Sequence, residues 1–248
     1  MNTPKSNSSQ RAVLRRFNAL PPGKVLSVAE LAKSTASAAG LASTLTRLTQ
    51  RGKLERVAKG HYRLPIAGRF GAVPPTEQQL LEAVLPSPRK RLEYRTGTAV
   101  FNQMGLTTQV PHTLVVATAK PRRPRQVGNL RVRFVRASAE RAKPGDVALC
   151  QLLDAIRSMK RIADSRPDAT VQRLLTLVRD VTEPAHSRLV KLALDYNPST
   201  RALLGALLEL AGAAALAERL RATLNPLSRY RLGLSEGTLP NQKRWRIR

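Results

Sequence analysis

Between Val25 and Leu64 the chain carries a helix, a second helix and a basic hairpin in close succession, and that order constrains the fold more than any other stretch. Ser27 and Glu30 stand in the S-x-x-E spacing, in which a hydroxyl and a carboxylate satisfy the orphan amides of a helix start. The second helix is predicted over Ser37–Arg51, because Leu41, Leu45 and Leu48 recur at i, i+4 and i+7 and share one face. Gly40 inside it costs about 1 kcal/mol relative to alanine, and Gly52 just beyond its end suits a C-cap. Lys53–Val57 and His61–Leu64 read as two short strands joined by Ala58-Lys59-Gly60. Helix, helix and hairpin in this order predict a winged helix-turn-helix, which presents a helix and its neighbouring hairpin to a duplex together. With the leucine stripe turned inward, Ser43, Thr44, Arg47, Gln50 and Arg51 are expected on or near the solvent face.

Upstream, Val13, Leu14, Phe17 and Leu20 share one face of a helix predicted over Gln10–Leu20, stopped by Pro21-Pro22-Gly23. Lys24-Val25-Leu26 reads as a short strand, and the small polar residues 1–9 are expected to be disordered. The DNA-reading domain then spans 10–65. Pro65–Pro75, with three Pro and two Gly, predicts a linker over 66–75. Thr76-Glu77-Gln78-Gln79 opens a helix to about Leu85, and Thr96–Gln103 reads as a short helix. Thr113–Thr118 is a β-branched run and hence a buried strand. The basic loop Lys120–Arg125 leads to a hairpin around Gly128-Asn129. Beyond it Leu130, Val132 and Phe134 alternate with Arg131 and Arg133, giving a half-buried strand with a cationic outer face. From Gly145 onward the pattern is helical, at about 146–163, 168–182, 185–195, 199–212 and 214–223, with breaks at Pro167, Pro184, Pro198 and Gly212. The predicted class is α+β: an N-terminal winged helix-turn-helix, then a mixed α/β segment and a helical C-terminal region. The second domain runs over 76–224, and a polar basic tail over 225–248.

The chain holds 43 Lys and Arg against 16 Asp and Glu, a formal charge of +27. Such a surplus repels itself unless a polyanion offsets it, which puts nucleic acid ahead of an acidic protein or an anionic membrane as the partner. Residues 1–63 hold twelve Lys/Arg and two Glu, a net of +10, and the other +17 falls on residues 64–248. DNA contact by the N-terminal domain therefore leaves charge for a second anionic surface or an acidic partner. The single cysteine, Cys150, excludes an internal disulfide and a Cys-cluster metal site, and its apolar neighbours mark a buried thiol. Met1–Gln10 lacks the apolar core of a signal peptide. Ala202–Ala217 is too short to span a bilayer and carries Glu209, so it reads as a core helix. A cytoplasmic protein without membrane attachment is expected.

Two motifs resemble the AbiEi-type antitoxins of type IV toxin–antitoxin systems. Leu45-Thr-Arg-Leu48, Gln50-Arg-Gly-Lys-Leu-Glu-Arg56 and Lys59-Gly-His-Tyr-Arg-Leu-Pro65 are similar to that family's recognition helix and wing. Gly97–Pro111 (GTAVFNQMGLTTQVP) is similar to its second-domain signature and is the more specific of the two. Pro198-Ser-Thr-Arg-Ala-Leu-Leu-Gly205 is a weaker third match, and the tail after Leu224 has none. The resemblance implies a repressor domain acting on its own operon, with a C-terminal region that counteracts a nucleotidyltransferase-type toxin. The tRNA that such toxins often modify is a further candidate partner.

The candidate DNA-binding residues are Ser43, Thr44, Arg47, Gln50 and Arg51 for the groove, with Lys53, Arg56, Lys59, Gly60 and Arg63 on the hairpin and its flanks. Gly60 permits a positive φ at the tip, and cations there suit phosphate, which fixes register without reading sequence. Arg122, Arg123, Arg125, Arg131 and Arg133 form a second basic group that could face flanking DNA, an acidic toxin surface or tRNA. Lys243-Arg244-Trp245-Arg246 reads as a frayed electrostatic tail. His61, His112 and His186 are scattered, and no H-E-x-x-H, G-x-S-x-G, P-loop or D-x-D pair is present. Asp154 and Asp164, ten residues apart on an amphipathic helix, read as surface charges. No enzyme, cofactor or metal is expected. The alternatives to an antitoxin are a stand-alone winged-helix transcription factor and an RNA-binding protein.

Overall fold

The structure, a computed structural model, describes residues 4–33, 38–69, 71–76, 79–80, 93–120, 122–127 and 130–248. It is of mixed α+β class and divides into two compact units, 1–87 with 126–130 and 88–125 with 131–248.

The N-terminal unit is built on α1 (Pro4–Asn18), α2 (Val28–Ala32) and α3 (Ala38–Gln50). Helix α1 starts at Pro4, so the disorder expected for residues 1–9 does not hold over Pro4–Ser9. Proline is favoured at a first helical position, where its φ is already set and its missing amide costs no bond. At α2 the Ser27 hydroxyl accepts from the Glu30 amide at 3.2 Å, and the Glu30 carboxylate accepts from the Ser27 amide at 2.8 Å. Ser37, the expected first residue of the next helix, lies outside the described residues. Helix α3 closes with the Gly52 amide donating to the Thr49 carbonyl at 3.0 Å and the Lys53 amide to the Leu48 carbonyl at 2.9 Å. Gly52 sits at φ +66°, the left-handed conformation that this closure requires. Val13, Phe17, Leu26, Leu31, Leu41, Leu45, Leu48 and Leu54 form the small core.

Beside the helices lies an antiparallel three-stranded sheet in the order β1-β3-β2. Its strands are β1 (Leu26–Ser27), β2 (Glu55–Ala58) and β3 (His61–Arg63). The stretch expected to be a linker is a second hairpin, β4 (Ile66–Gly68) paired with β5 (Gly71–Val73). Glycines close both sides of its turn, a use of glycine that composition alone does not separate from a linker. Thr76 and Gln79 cap one another through side-chain bonds of 2.9 and 3.3 Å. The helix expected from there to Leu85 falls outside the described residues beyond Leu80.

A four-stranded sheet of order β6-β7-β9-β8 is formed by β6 (Glu93–Thr96), β7 (Thr113–Thr118), β8 (Arg125–Val127) and β9 (Leu130–Arg136), with β6, β7 and residues 131–136 of β9 in the C-terminal unit. Strands β6 and β7 are antiparallel, and β7 and β9 are parallel. The expected turn at Gly128-Asn129 lies outside the described residues. Thr96, expected to open a helix, ends β6 instead. Gly97, at φ +77°, breaks the chain into the short helix α4 (Thr98–Gln103). Helices α5 (Val147–Ser158), α6 (Pro167–Arg179), α7 (Glu183–Ala193), α8 (Pro198–Leu210) and α9 (Ala214–Arg221) follow. Every residue from Ala202 to Leu208 is buried, as a helix apolar on all sides must be in water. No helix among the described residues is long and apolar enough to cross a membrane.

Sheet and helices meet at Asp154, which is 2% exposed and not the surface charge expected from its spacing. Its carboxylate accepts from Thr96 at 2.8 Å, Tyr196 at 3.0 Å and Tyr94 at 3.1 Å, and pairs with Arg157 at 3.1 Å. Burial, and next the Asp154 charge, push both tyrosine hydroxyls well above their ordinary range, so they stay protonated donors. Burial pushes the Cys150 thiol up to about 12, making it a packing group and not a reactive one. Asp164 lies beyond α5 on an exposed turn at φ +53°.

The tail expected to fray is packed. Tyr230, Leu232, Leu234, Leu239, Trp245 and Ile247 all join the main core, and Tyr230 bridges to Ile247. Trp245 is 2% exposed, and its indole N–H donates to Glu209 at 2.6 Å. A Cβ on Gly205 would stand 2.1 Å from the Trp245 ring, so helix α8 needs glycine there. Asp168 accepts from the Ser235 amide and the Ser235 and Thr238 hydroxyls, holding the middle of the segment.

Replacing Trp245 by Ala is expected to cost about 3–5 kcal/mol in urea unfolding of the full chain, the range for emptying a large buried ring site. A loss under about 1 kcal/mol would mean that the terminal segment is not part of the fold. A second expectation concerns acid. Bonds from Arg188 at 2.6 and 2.9 Å hold the Asp146 carboxyl below its ordinary value, against the smaller opposing effect of burial. A depressed folded pKa gives stability that is present above the unfolded value, near 3.9, and lost as pH falls through the folded one. Asp146→Asn should therefore cost about 1–3 kcal/mol at pH 7 and progressively less as pH falls below about 4; a cost that does not fall with pH would contradict the ion pair.

Candidate nucleic-acid interface

Helix α3 buries Leu41, Leu45 and Leu48 and turns Ala42, Ser43, Thr46 and Gln50 outward. Arg47 is half-buried at the edge of this face, while Arg51 and Lys53 are exposed just past the helix end. The hydroxyls of Ser43 and Thr46 donate back to the carbonyls of Gly40 and Ala42, both at 3.1 Å, which leaves their oxygens facing solvent as acceptors. On the β2–β3 hairpin Arg56 and Lys59 are exposed, and Gly60 makes the turn at φ +77°. The Gly60 carbonyl accepts from the Val28 amide at 2.8 Å, tying the hairpin to the start of α2. His61 Nδ1 lies 3.1 Å from the Lys59 carbonyl oxygen. Glu30 and Glu55, the carboxylates of this unit among the described residues, are engaged with Ser27 and Arg63.

Two of the residues expected to meet DNA are inside. Thr44 is 2% exposed, because position 44 falls within the i, i+3, i+4, i+7 stripe that starts at Leu41. Arg63 is fully buried. Its Nε donates to Glu55 at 2.8 Å, Nη1 to the Gln79 side chain at 3.2 Å, and Nη2 to the Val73 carbonyl. One guanidinium thereby joins β2, β3, β5 and the turn at Thr76. It positions the hairpin and has no free donor edge for phosphate.

The second basic group divides. Arg122 is taken by Glu93, in a short ion pair, and lies over the Phe134 ring with 5.6 Å to its centroid. Arg123 and Arg125 are exposed. Arg131 and Arg133 share one face of β9, opposite Thr113 and Val115 in the parallel register. Both line an open depression of about 890 Å³ that also takes in Gln109, Val110 and His112. Arg133 further lines a cleft of about 350 Å³, together with Arg157 and Arg161. Those last two are absent from the sequence reading, although their i, i+4 spacing at the end of a helix was a visible sign. Thr46 was missed in the same way, lying between Ser43 and Gln50 on one helical face.

The Gly97–Pro111 motif has a structural explanation in this unit. Gly97 packs against Val115, where an added Cβ would come within 3.1 Å. The Asn102 amide donates to the Thr107 and Gln109 carbonyls, each at 3.2 Å, and Thr107 donates to the Ala163 carbonyl at 2.7 Å. The motif thus folds one wall of the basic cleft. No group of acids, histidines and cysteines able to hold a metal is found among the described residues.

The profile of a family described as "Family of unknown function (DUF6088)" matches residues 12–185. No curated protein matches the chain. The crystal structure of the Rv2827c protein from Mycobacterium tuberculosis superposes with a TM-score of 0.53 at 17% identity, over 95% of this chain and 88% of that one. That likeness is one of fold.

Because Arg63 is buried and donates to Glu55, Gln79 and the Val73 carbonyl, Arg63→Ala should cost about 1–3 kcal/mol, the range for leaving buried partners unsatisfied. Lys59→Ala should stay within about 0.5 kcal/mol of the parent. Similar losses for the two, by chemical unfolding, would contradict the assignment of Arg63 to the scaffold.

Proposed function

The chain belongs to DUF6088, a family whose description assigns no function, and from its own surfaces we propose that it is a DNA-binding regulator. In this reading α2, α3 and the β2–β3 hairpin form a winged helix-turn-helix. Helix α3 enters the major groove, which is about 12 Å wide and admits a helix with its side chains. Gln50 is suited to an adenine edge, and Arg47 and Arg51 to guanine. Ser43 and Thr46 offer acceptors along the same line. Lys53, Arg56 and Lys59 contact phosphate on either side and set register. The observation that carries the proposal is the face itself: α3 and the hairpin tip present cations and hydrogen-bonding side chains, with no described carboxylate left unengaged among them.

The resemblance to AbiEi-type antitoxins extends the proposal. The chain would repress its own operon through this face and counteract a nucleotidyltransferase-type toxin through the C-terminal unit, with tRNA as a further partner. A neighbouring gene for such a toxin, and rescue from it by this chain, would carry that half.

The DNA half is tested by fluorescence anisotropy of the full chain on the duplex upstream of its own gene and on a scrambled duplex, at one salt concentration. The parent is expected to prefer its own duplex by about a thousandfold. Gln50→Ala with Arg51→Ala should remove about ten- to a hundredfold of that preference. Arg56→Ala with Lys59→Ala should weaken both duplexes alike. An unchanged preference in the first pair would overturn α3 as the reading element.

A further inference from the structure

The C-terminal unit contains a cleft whose chemistry the DNA reading does not use. Arg133 comes from β9, Arg157 from α5, and Arg161 from the 3-10 turn Met159–Arg161 that follows. All three line the same cavity of about 350 Å³. Thr98 and Ser158 add hydroxyls to the rim, while Phe101, Val115, Val135 and Ile162 supply an apolar floor and wall. No carboxylate lines it. Asp154 lies beneath, with its oxygens committed to Tyr94, Thr96, Tyr196 and Arg157.

The three guanidiniums are in different states. Arg157 is fixed: it pairs with Asp154 at 3.1 Å, donates to Ser138, and lies over the Tyr196 ring with 5.6 Å to its centroid. Arg133 and Arg161 are exposed and form no ion pair with any described residue. Cations gathered on one concave surface without a counter-charge raise each other's energy, and the surrounding apolar wall strengthens that repulsion. An anion placed among them removes it. Donors approaching from a strand, a helix and a turn suit an anion that accepts from several directions, as a tetrahedral phosphate does. A volume near 350 Å³ is that of a small-molecule site, and the apolar wall provides for an organic portion.

We propose that this cleft is a binding site for a small phosphate ester of about nucleotide size, held by Arg133, Arg157 and Arg161 with its organic part against Phe101 and Ile162. The Gly97–Pro111 motif then has a role beyond packing, because it builds the wall that carries Thr98 and Phe101. The site stands independently of whether the N-terminal unit binds DNA.

The test is calorimetric titration of the full chain, at fixed salt, with AMP, glucose 6-phosphate and adenosine. Both phosphates are expected to bind with Kd below about 1 mM, and adenosine at least tenfold more weakly; AMP alone binding would mark a nucleotide-specific site, which supports the proposal equally. Arg133→Gln with Arg161→Gln should weaken the phosphates by about tenfold or more with an unchanged melting temperature, since both side chains are exposed. Arg123→Gln with Arg125→Gln removes the same charge from outside the cleft and should change affinity less than about twofold. Three results overturn the proposal: no phosphate binding, adenosine binding as well as AMP, or equal weakening by both pairs of substitutions.

Discussion

An ion pair between a carboxylate and an arginine, one partner of which is buried, is the contact on which both units depend. In the N-terminal unit Glu55 holds Arg63, which reaches from there to Gln79 and Val73 and so joins two hairpins. In the C-terminal unit Asp154 accepts from the sheet through Tyr94 and Thr96, from the helical layer through Tyr196, and pairs with Arg157. Such pairs add little net stability over apolar packing, but removing one partner strands the other in a poor dielectric. Each therefore dictates geometry: the strands and helices it joins cannot shift without leaving a buried charge unsatisfied.

With acids this outnumbered, their placement decides where positive charge remains. Among the described acidic side chains, Asp164, Asp180 and Glu183 alone make no hydrogen bond or ion pair. Glu93 takes Arg122, Asp146 takes Arg188, and Glu209 takes Arg244 along with the Trp245 and Asn241 donors. Among the described residues, cations in no ion pair lie on many parts of the surface, including Arg51, Lys53, Arg56 and Lys59 around α3 and the β2–β3 hairpin, and Arg133 and Arg161 in the cleft. The division is one of labour: paired arginines shape the scaffold, and unpaired ones face outward where an anion can reach them.

Much of this was legible in the sequence, and the failures have two causes. The leucine spacing of α3, the Ser27–Glu30 cap and the alternation along β9 are local patterns, and each appears where it was read. Thr44 was misplaced because residue type outweighed periodicity, and Arg63 because its partners lie beyond its own hairpin. Position 44 lies on the apolar stripe, whereas Tyr62 and Leu64 pack against the small core and alternation turns Arg63 to the other face of the strand, where Val73 and Gln79, ten and sixteen residues on, take its donors. Asp154 was read as a surface charge because its four partners come from positions as distant as Tyr94 and Tyr196, which no local window connects. The tail was misjudged for its arginines, although Tyr230, Leu232 and Leu234 alternate as a half-buried strand does. The cleft combines a strand residue with two helix-end residues, so only the three-dimensional arrangement brings it together.

The central claim is that α3 and the β2–β3 hairpin are the surface that meets DNA. Amide hydrogen exchange of the full chain, with and without the duplex upstream of its gene, tests it most directly. The account predicts added protection concentrated in residues 42–61. Unchanged exchange there, with protection confined to the C-terminal unit, would contradict it.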